Sequence, residues 1–239
     1  MARRPARKSS RKAARPAAAS AAVPTTEREK IIAAFLDLLA DNPFEQIGLA
    51  EVAAEAGLSL AQLRGEFGST LAMVAAHVKA VDRAVLAADF SDMAEEPPRE
   101  RLFDVLMRRL ETLSPHREAV RSLLRSAGRN PPLAFALNGL AVRSQQWMLS
   151  AADIKASGPR GMIRAQGLAL LFASVLRTWV RDDDPGLART MAALDRALGR
   201  GQRMVGLLDD LCRIPARLCR LRPRRRRDRD DSDEESATA

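Results

Sequence analysis

From Thr26 to Val78 the apolar positions predict three short helices in succession. Ile31, Ile32, Phe35, Leu38 and Leu39 recur at helical spacing after the polar start Thr25-Thr26-Glu27, and Asn42-Pro43 ends the run. Leu49, Val52, Ala53 and Ala56 then share one face of a second helix, which Gly57 stops. Ser59 is placed to cap a third helix holding Leu60, Leu63 and Phe67. Two short helices joined by a glycine-centred turn make a helix-turn-helix.

Helical spacing continues near 71–88, 99–113, 116–128, 132–152, 160–181 and 186–212, with breaks such as Glu96-Pro97-Pro98 and Asn130-Pro131-Pro132. Leu168, Phe172, Val175 and Trp179 form one late stripe; Met191, Leu194, Leu198, Val205 and Leu208 form another, at coiled-coil-like spacing. Packed against their copies, the two stripes predict a four-helix dimer interface. The same periodicity fits a monomer's own core, and it does not separate the two readings. Gly199, Gly201 and Gly206 weaken the last helix by about 1 kcal/mol each relative to Ala unless close packing exploits them.

Composition agrees with an all-α fold. Aromatics are 4% of 239 residues, Tyr is absent, and Ala and Leu far outnumber β-branched residues. Two cysteines, Cys212 and Cys219, give no disulfide framework and fit a reducing compartment. No apolar run reaches the roughly 18 residues of a membrane span, so the chain reads as cytoplasmic.

The formal charge of +9 changes the picture only when it is divided along the chain. Residues 1–24 hold seven cations, Arg3, Arg4, Arg7, Lys8, Arg11, Lys12 and Arg15, and no acid. Such an arm buries no core; it is expected to be disordered and to neutralise phosphates without sequence preference, or simply to solubilise. An organellar transit peptide is the third reading, weakened by the excess of Arg over Lys and the abundant Ala, which suit a GC-rich bacterial genome. Residues 212–229 hold nine Arg against Asp228, and the last ten residues hold five acids. The body, 25–211, is left nearly neutral. Four units follow: a basic arm (1–24), a helix-turn-helix domain (25–80), a helical regulatory and dimerisation domain (81–212) and a charged, disordered tail (213–239).

The run EVAAEAGLSLAQLRGEF, a break at Gly68-Ser69 and the helical AMVAAHV resemble the N-terminal domain of TetR/AcrR-family bacterial regulators. The resemblance implies a homeodomain-like three-helix DNA-binding domain with Ser59 to Glu66 as recognition helix, on a helical domain that dimerises and takes a small effector. Gly48, Arg64 and Thr70 stand where family members place a hydroxyl residue, an aromatic and a Lys. Between Glu27 and Lys79 four cations face eight acids, the opposite sign from a phosphate-contacting surface. The DNA-binding candidates are Ser59, Leu60, Ala61, Gln62, Arg64 and Thr70: Gln62 suits adenine, Arg64 suits guanine, and Leu60 and Ala61 suit thymine methyls, with the basic arms supplying phosphate energy. The implied partners are operator DNA, a second copy of the chain and a small apolar effector. Candidate effector-pocket residues are Phe135, Leu137, Trp147, Met148, Phe172 and Trp179.

A second stretch, SVLRTWVRDDDPGLARTMAALDRAL, is similar to the C-terminal pattern of a TetR-like accessory family of ubiquinone biosynthesis that binds lipid and partner proteins. Leu207, Leu208, Leu211, Ile214, Leu218 and Leu221 before Arg224–Arg227 also match an apolar face beside a polybasic block, as in peripheral membrane contact. A TetR-like protein that has lost DNA readout and serves as a lipid-binding or protein-binding accessory factor is therefore the rival function.

No catalytic constellation is legible, and no enzyme, metal or cofactor is expected. His77 and His116 lie on different helices without a nucleophile partner, and the cysteines lack a ligand-spaced His. Asp182, Asp183 and Asp184 before Pro185-Gly186 read as an inter-helix turn that stabilises the next helix through its dipole.

Overall fold

The structure, a computed structural model, describes residues 26–89, 93 and 95–219, and for 204–219 the backbone alone. The arm before residue 25, the tail beyond Cys219, and the side chains of Val205, Leu207, Leu208, Leu211, Cys212 and Cys219 lie outside the described residues, and with them the membrane-contact reading. Among the described residues the chain forms nine α-helices and no strand. They are α1 (Glu27–Asp41), α2 (Leu49–Glu55), α3 (Leu60–Glu66), α4 (Thr70–Leu86), α5 (Pro98–Leu113), α6 (Arg117–Ala127), α7 (Pro131–Ala151), α8 (Gly158–Trp179) and α9 (Ala188–Cys219). None of the described helices is long and apolar enough to cross a membrane.

Local chemistry sets the boundaries. Thr26 caps α1 in a reciprocal box with Glu29. The α2 helix ends in a Schellman motif: Leu58 N–H donates to Ala53 O (2.9 Å) across Gly57, whose φ is +66°. A Cβ built on Gly57 meets nothing within 4 Å, so only backbone strain opposes a side chain there. Gly57→Ala is therefore expected to cost about 1 kcal/mol, read as a lower urea midpoint with an unchanged m-value. A midpoint equal to wild type would mean that the turn does not need this left-handed residue.

The sequence reads Asp182–Asp184 as a solvated turn at the start of the next helix; the turn is there, but Asp182 is buried in it at 1% exposure. Asp184 Oδ2 accepts from the Ala188 N–H (3.1 Å) at the start of α9, and buried Asp182 accepts from the Thr190 N–H (2.8 Å) and hydroxyl (2.6 Å). Those hydrogen bonds, Thr190's hydroxyl first, hold the Asp182 carboxyl below its usual range.

Two apolar cores organise the chain. The first joins Ile31, Phe35 and Leu39 of α1, Val52 of α2, Leu63 of α3 and Met73 of α4, and is closed by Ala119 of α6 with Leu123, Leu137 and Leu140 packed against it. The helix-turn-helix unit is thus not sealed by residues 25–80 alone: α6 and the first half of α7 complete its core. The second core gathers Val81, Val85, Leu106, Leu110, Met148, Phe172, Trp179 and Leu194 from α4, α5 and α7–α9.

The late stripes turn inward. Leu168, Phe172, Val175 and Trp179 are all buried in the second core, as are Leu194 and Leu198; Met191 is 38% exposed. The monomer core takes the whole first stripe and Leu194 and Leu198 of the second; Val205 and Leu208 lie outside the described side chains. The apolar residues of α8 that face outward are Met162, Ile163 and Leu170.

Candidate nucleic-acid interface

The α3 helix begins in a capping box. Ser59 Oγ accepts from the Gln62 N–H (3.2 Å), and Gln62 Oε1 accepts from the Ser59 N–H (3.0 Å) and hydroxyl (2.8 Å). Only Leu63 of this helix is buried; Leu60 is 53% exposed, and Ala61, Gln62, Arg64, Gly65 and Glu66 are exposed with it.

One flank of α3 is fastened to the first turn of α1. The Gln62 amide nitrogen donates to Glu27 Oε1 (2.9 Å), and Arg28 donates to both the Glu66 carbonyl and its carboxylate (3.2 Å each) while its guanidinium lies over the Phe67 ring (4.3 Å). Both ends of the Gln62 amide are therefore engaged inside the protein. The adenine contact expected of Gln62 is not offered by this geometry, because its donor and acceptor already serve the cap and α1. Glu66, which would otherwise present a bare carboxylate to phosphate, is paired by Arg28.

The other flank carries Leu60 and Arg64. Arg64 makes no ion pair among the described residues; its Nη1 reaches over Gly68, 3.2 Å from where a Cβ would sit. Thr70 is the half-buried first residue of α4, behind its cap Ser69, which accepts from the Ala72 N–H (3.2 Å). Ser59 is used as a cap. Of the six expected DNA-contacting residues, Leu60, Ala61 and Arg64 are presented without internal commitments.

Contacts that the sequence did not announce fix this head to the body. Ser122 of α6 donates to Asn42 O (2.7 Å), Ser126 accepts from the Phe44 N–H (3.1 Å), and Asn130 donates to Glu45 (3.2 Å). At its other side α6 is tied to the α8–α9 turn, where Arg117 donates to Asp182 O (2.9 Å) and Arg121 to Val180 O (3.1 Å). The α4 helix, which crosses from one core to the other, is held by a buried ion pair: Asp82 accepts from Arg109 of α5 and from the Ser144 hydroxyl of α7 (2.7 Å). The only hint in the sequence is an acid at position 82 amid the valines of an apolar stripe.

His77 of α4 and His116, at the start of α6, stack edge to face with centroids 5.1 Å apart. Burial first, then the neighbouring His116 and Arg109, push the His77 pKa down to about 4. Burial also lowers His116, against the pull of Asp37. The unfolded chain takes up a proton on His77 near pH 6.5, whereas the folded chain resists until about pH 4. Stability is thus whole above pH 6.5 and falls as the pH drops through that window, by about 3 kcal/mol at most from this group. Denaturant midpoints of His77→Gln between pH 7 and 5 are expected to fall less steeply than those of wild type. Parallel slopes would remove His77 as the source.

The six expected effector residues do not converge. Phe135 is 83% and Trp147 59% exposed on α7, Leu137 packs on the first core, and Met148, Phe172 and Trp179 are buried in the second. Helical spacing put them on neighbouring helices but did not say which way each faces. Within the second core Met148 and Phe172 surround a cation: Met148 Sδ lies 3.7 Å from Arg109 Nη1, and the guanidinium is 5.7 Å from the Phe172 ring centroid. Trp147 instead borders an open groove of about 530 Å³ with Ser150, Lys155 and Ser157.

No family model and no curated protein matches the chain. Solved structures do. A TetR transcriptional regulator from Nitrosomonas europaea superposes with a TM-score of 0.57 at 19% identity, covering 74% of this chain and 99% of that one. One from Rhodococcus sp. RHA1 gives 0.53 at 20% identity, covering 73% and 95%. The chain has the all-α fold of these regulators.

Proposed function

We propose that the protein is a DNA-binding transcriptional regulator that acts as a homodimer, its operator affinity modulated by a small molecule. The observation that carries this reading is α3 itself. It is a capped helix with a single residue buried, held by α2 and by the first turn of α1, with an outward face free of internal hydrogen bonds at Leu60, Ala61 and Arg64. A helix displayed in this way suits the major groove. The likeness in fold to the two regulators supports the same reading.

Dimerisation suits paired half-sites, and the outward residues Met162, Ile163 and Leu170 of α8 are the apolar surface available for it. Trp147 is an expected effector residue with an open groove beside it. An effector acts by favouring one separation of two reading heads over another, which α4 and α6 would transmit through their fastenings.

The accessory-factor reading is favoured by the apolar side chains Phe135, Trp147 and Leu170 displayed on α7 and α8 and by the acidic head. Titrating salt during binding of the full chain to DNA from its own upstream region and to scrambled duplexes separates the two. The regulator prefers its own region at every salt concentration, and light scattering gives twice the chain mass. Equal binding to both duplexes, with lipid retained in native mass spectrometry, would establish the accessory factor instead.

A further inference from the structure

We propose that α3 reads its half-site through the Leu60–Arg64 flank alone, as thymine methyl groups packed on Leu60 and Ala61 beside a guanine bound by Arg64. This rests on the DNA-binding reading above and gives it a chemistry.

The argument is one of what remains. The side chains of α3 fall into a buried row, an α1-facing row and an outward surface. Leu63 occupies the first. Gln62 and Glu66, four residues apart and so stacked one turn above the other, form the second, and both are consumed by Glu27 and Arg28. Every polar group on that row has a protein partner. Using Gln62 on a base would break the cap of α3 and the tie to α1 together, three hydrogen bonds for the two that adenine offers.

On the remaining surface, Leu60 and Arg64 are again one turn apart, and Ala61 and Gly65 form a crest of small residues beside them. A crest without bulky side chains lets the helix backbone approach the bases closely. The chemistry left to do the reading is a half-exposed leucine, an alanine methyl and one guanidinium. In the major groove the C5-methyl of thymine is the one apolar feature, and O6 with N7 of guanine is the acceptor pair that fits a guanidinium. The side chain of this exposed leucine belongs to neither described core.

The test uses the full chain. Selection from random duplex DNA is expected to enrich a motif with a guanine next to one or more thymines. Replacing one of those thymines by deoxyuridine removes only the methyl and is expected to weaken binding about fourfold, the value of one buried methyl. Leu60→Ala should reduce that sensitivity, leaving only what the alanine methyls supply. Replacing the guanine by 7-deazaguanine should weaken wild type about tenfold and leave Arg64→Ala unaffected. Gln62→Ala should lower thermal stability and leave the selected motif unchanged. All five positions are exposed or on the DNA, so the fold survives the changes. A motif insensitive to uracil, or one that Gln62→Ala alters, would overturn this assignment while leaving sequence-specific DNA binding in place. Failure to enrich any motif would overturn the DNA-binding function itself, and the assignment with it.

Discussion

Arg109→Met is expected to destabilise the folded chain by about 3–5 kcal/mol, a fall in Tm of roughly 10 °C. Arg109 is 5% exposed and Asp82 8%, inside an apolar core. Without the guanidinium, Asp82 keeps only the Ser144 hydroxyl as a partner and its charge stays in a medium that solvates it poorly. The loss is the cost of an abandoned charge and not the value of the pair. For that reason Asp82→Leu with Arg109→Met should recover most of the stability, since replacing a buried pair by apolar residues of similar volume is often neutral. Thermal melts of the two single variants and the double variant complete the cycle. A single-variant loss below about 1 kcal/mol would show that water reaches the pair.

The pair bears on the proposed function because of where it sits. Asp82 is on α4, whose first half, with Met73 and Val74, belongs to the reading head's core and whose second half, with Val81 and Val85, belongs to the body's. A hydrophobic stripe alone leaves a helix free to slide or rotate slightly against its neighbours. A directional contact from Asp82 to both α5 and α7 fixes its register. The double variant should therefore be stable yet less uniform in the orientation of its heads. If so, operator affinity falls where Tm does not, a separation that affinity and melting measurements on one preparation read directly.

The helices themselves were legible because they rest on short-range rules. The breaks at Asn42-Pro43 and Gly57, the cap at Ser59 and the spacing of Ile31, Phe35 and Leu39 all act within a few residues, and the observed α1–α4 follow them closely. Facing was another matter. Phe172 and Phe135 look alike in a helical stripe, yet one is buried and the other is 83% exposed, because burial depends on which helix lies opposite. Long-range polar pairs were equally hidden. Gln62 and Glu27 are 35 residues apart, and nothing in either neighbourhood signals that they meet. A glutamine three residues after a serine cap was the available clue that its side chain was already spoken for. His77 and His116 are a further case: separate helices in sequence, one stacked pair in the fold.

Removing residues 1–25 is expected to leave Tm unchanged and to weaken DNA binding by orders of magnitude. Both described cores are built from residues after Thr26, so stability has no stake in the arm. Affinity does. Between Glu27 and Lys79 acids outnumber cations two to one, and the Arg28–Glu66 pair removes one of the few cations from service. The head alone therefore repels a phosphate backbone. The arm, whose seven cations lie between Arg3 and Arg15, enters the head at Thr26, beside α1's first turn, which touches both ends of α3 through Gln62 and Glu66. The arm is thus tethered next to the surface that needs its cations. Each phosphate neutralised contributes about 0.9 to the slope of log affinity against log salt. If three of the seven engage, truncation lowers the slope by about 2.7 and the affinity at 50 mM salt by roughly 10³. The preference between own and scrambled DNA should survive, because counterion release carries no sequence information. An unchanged slope would mean that the arm never meets the phosphates, leaving the arginines of 212–229 as the acidic head's remaining source of attraction.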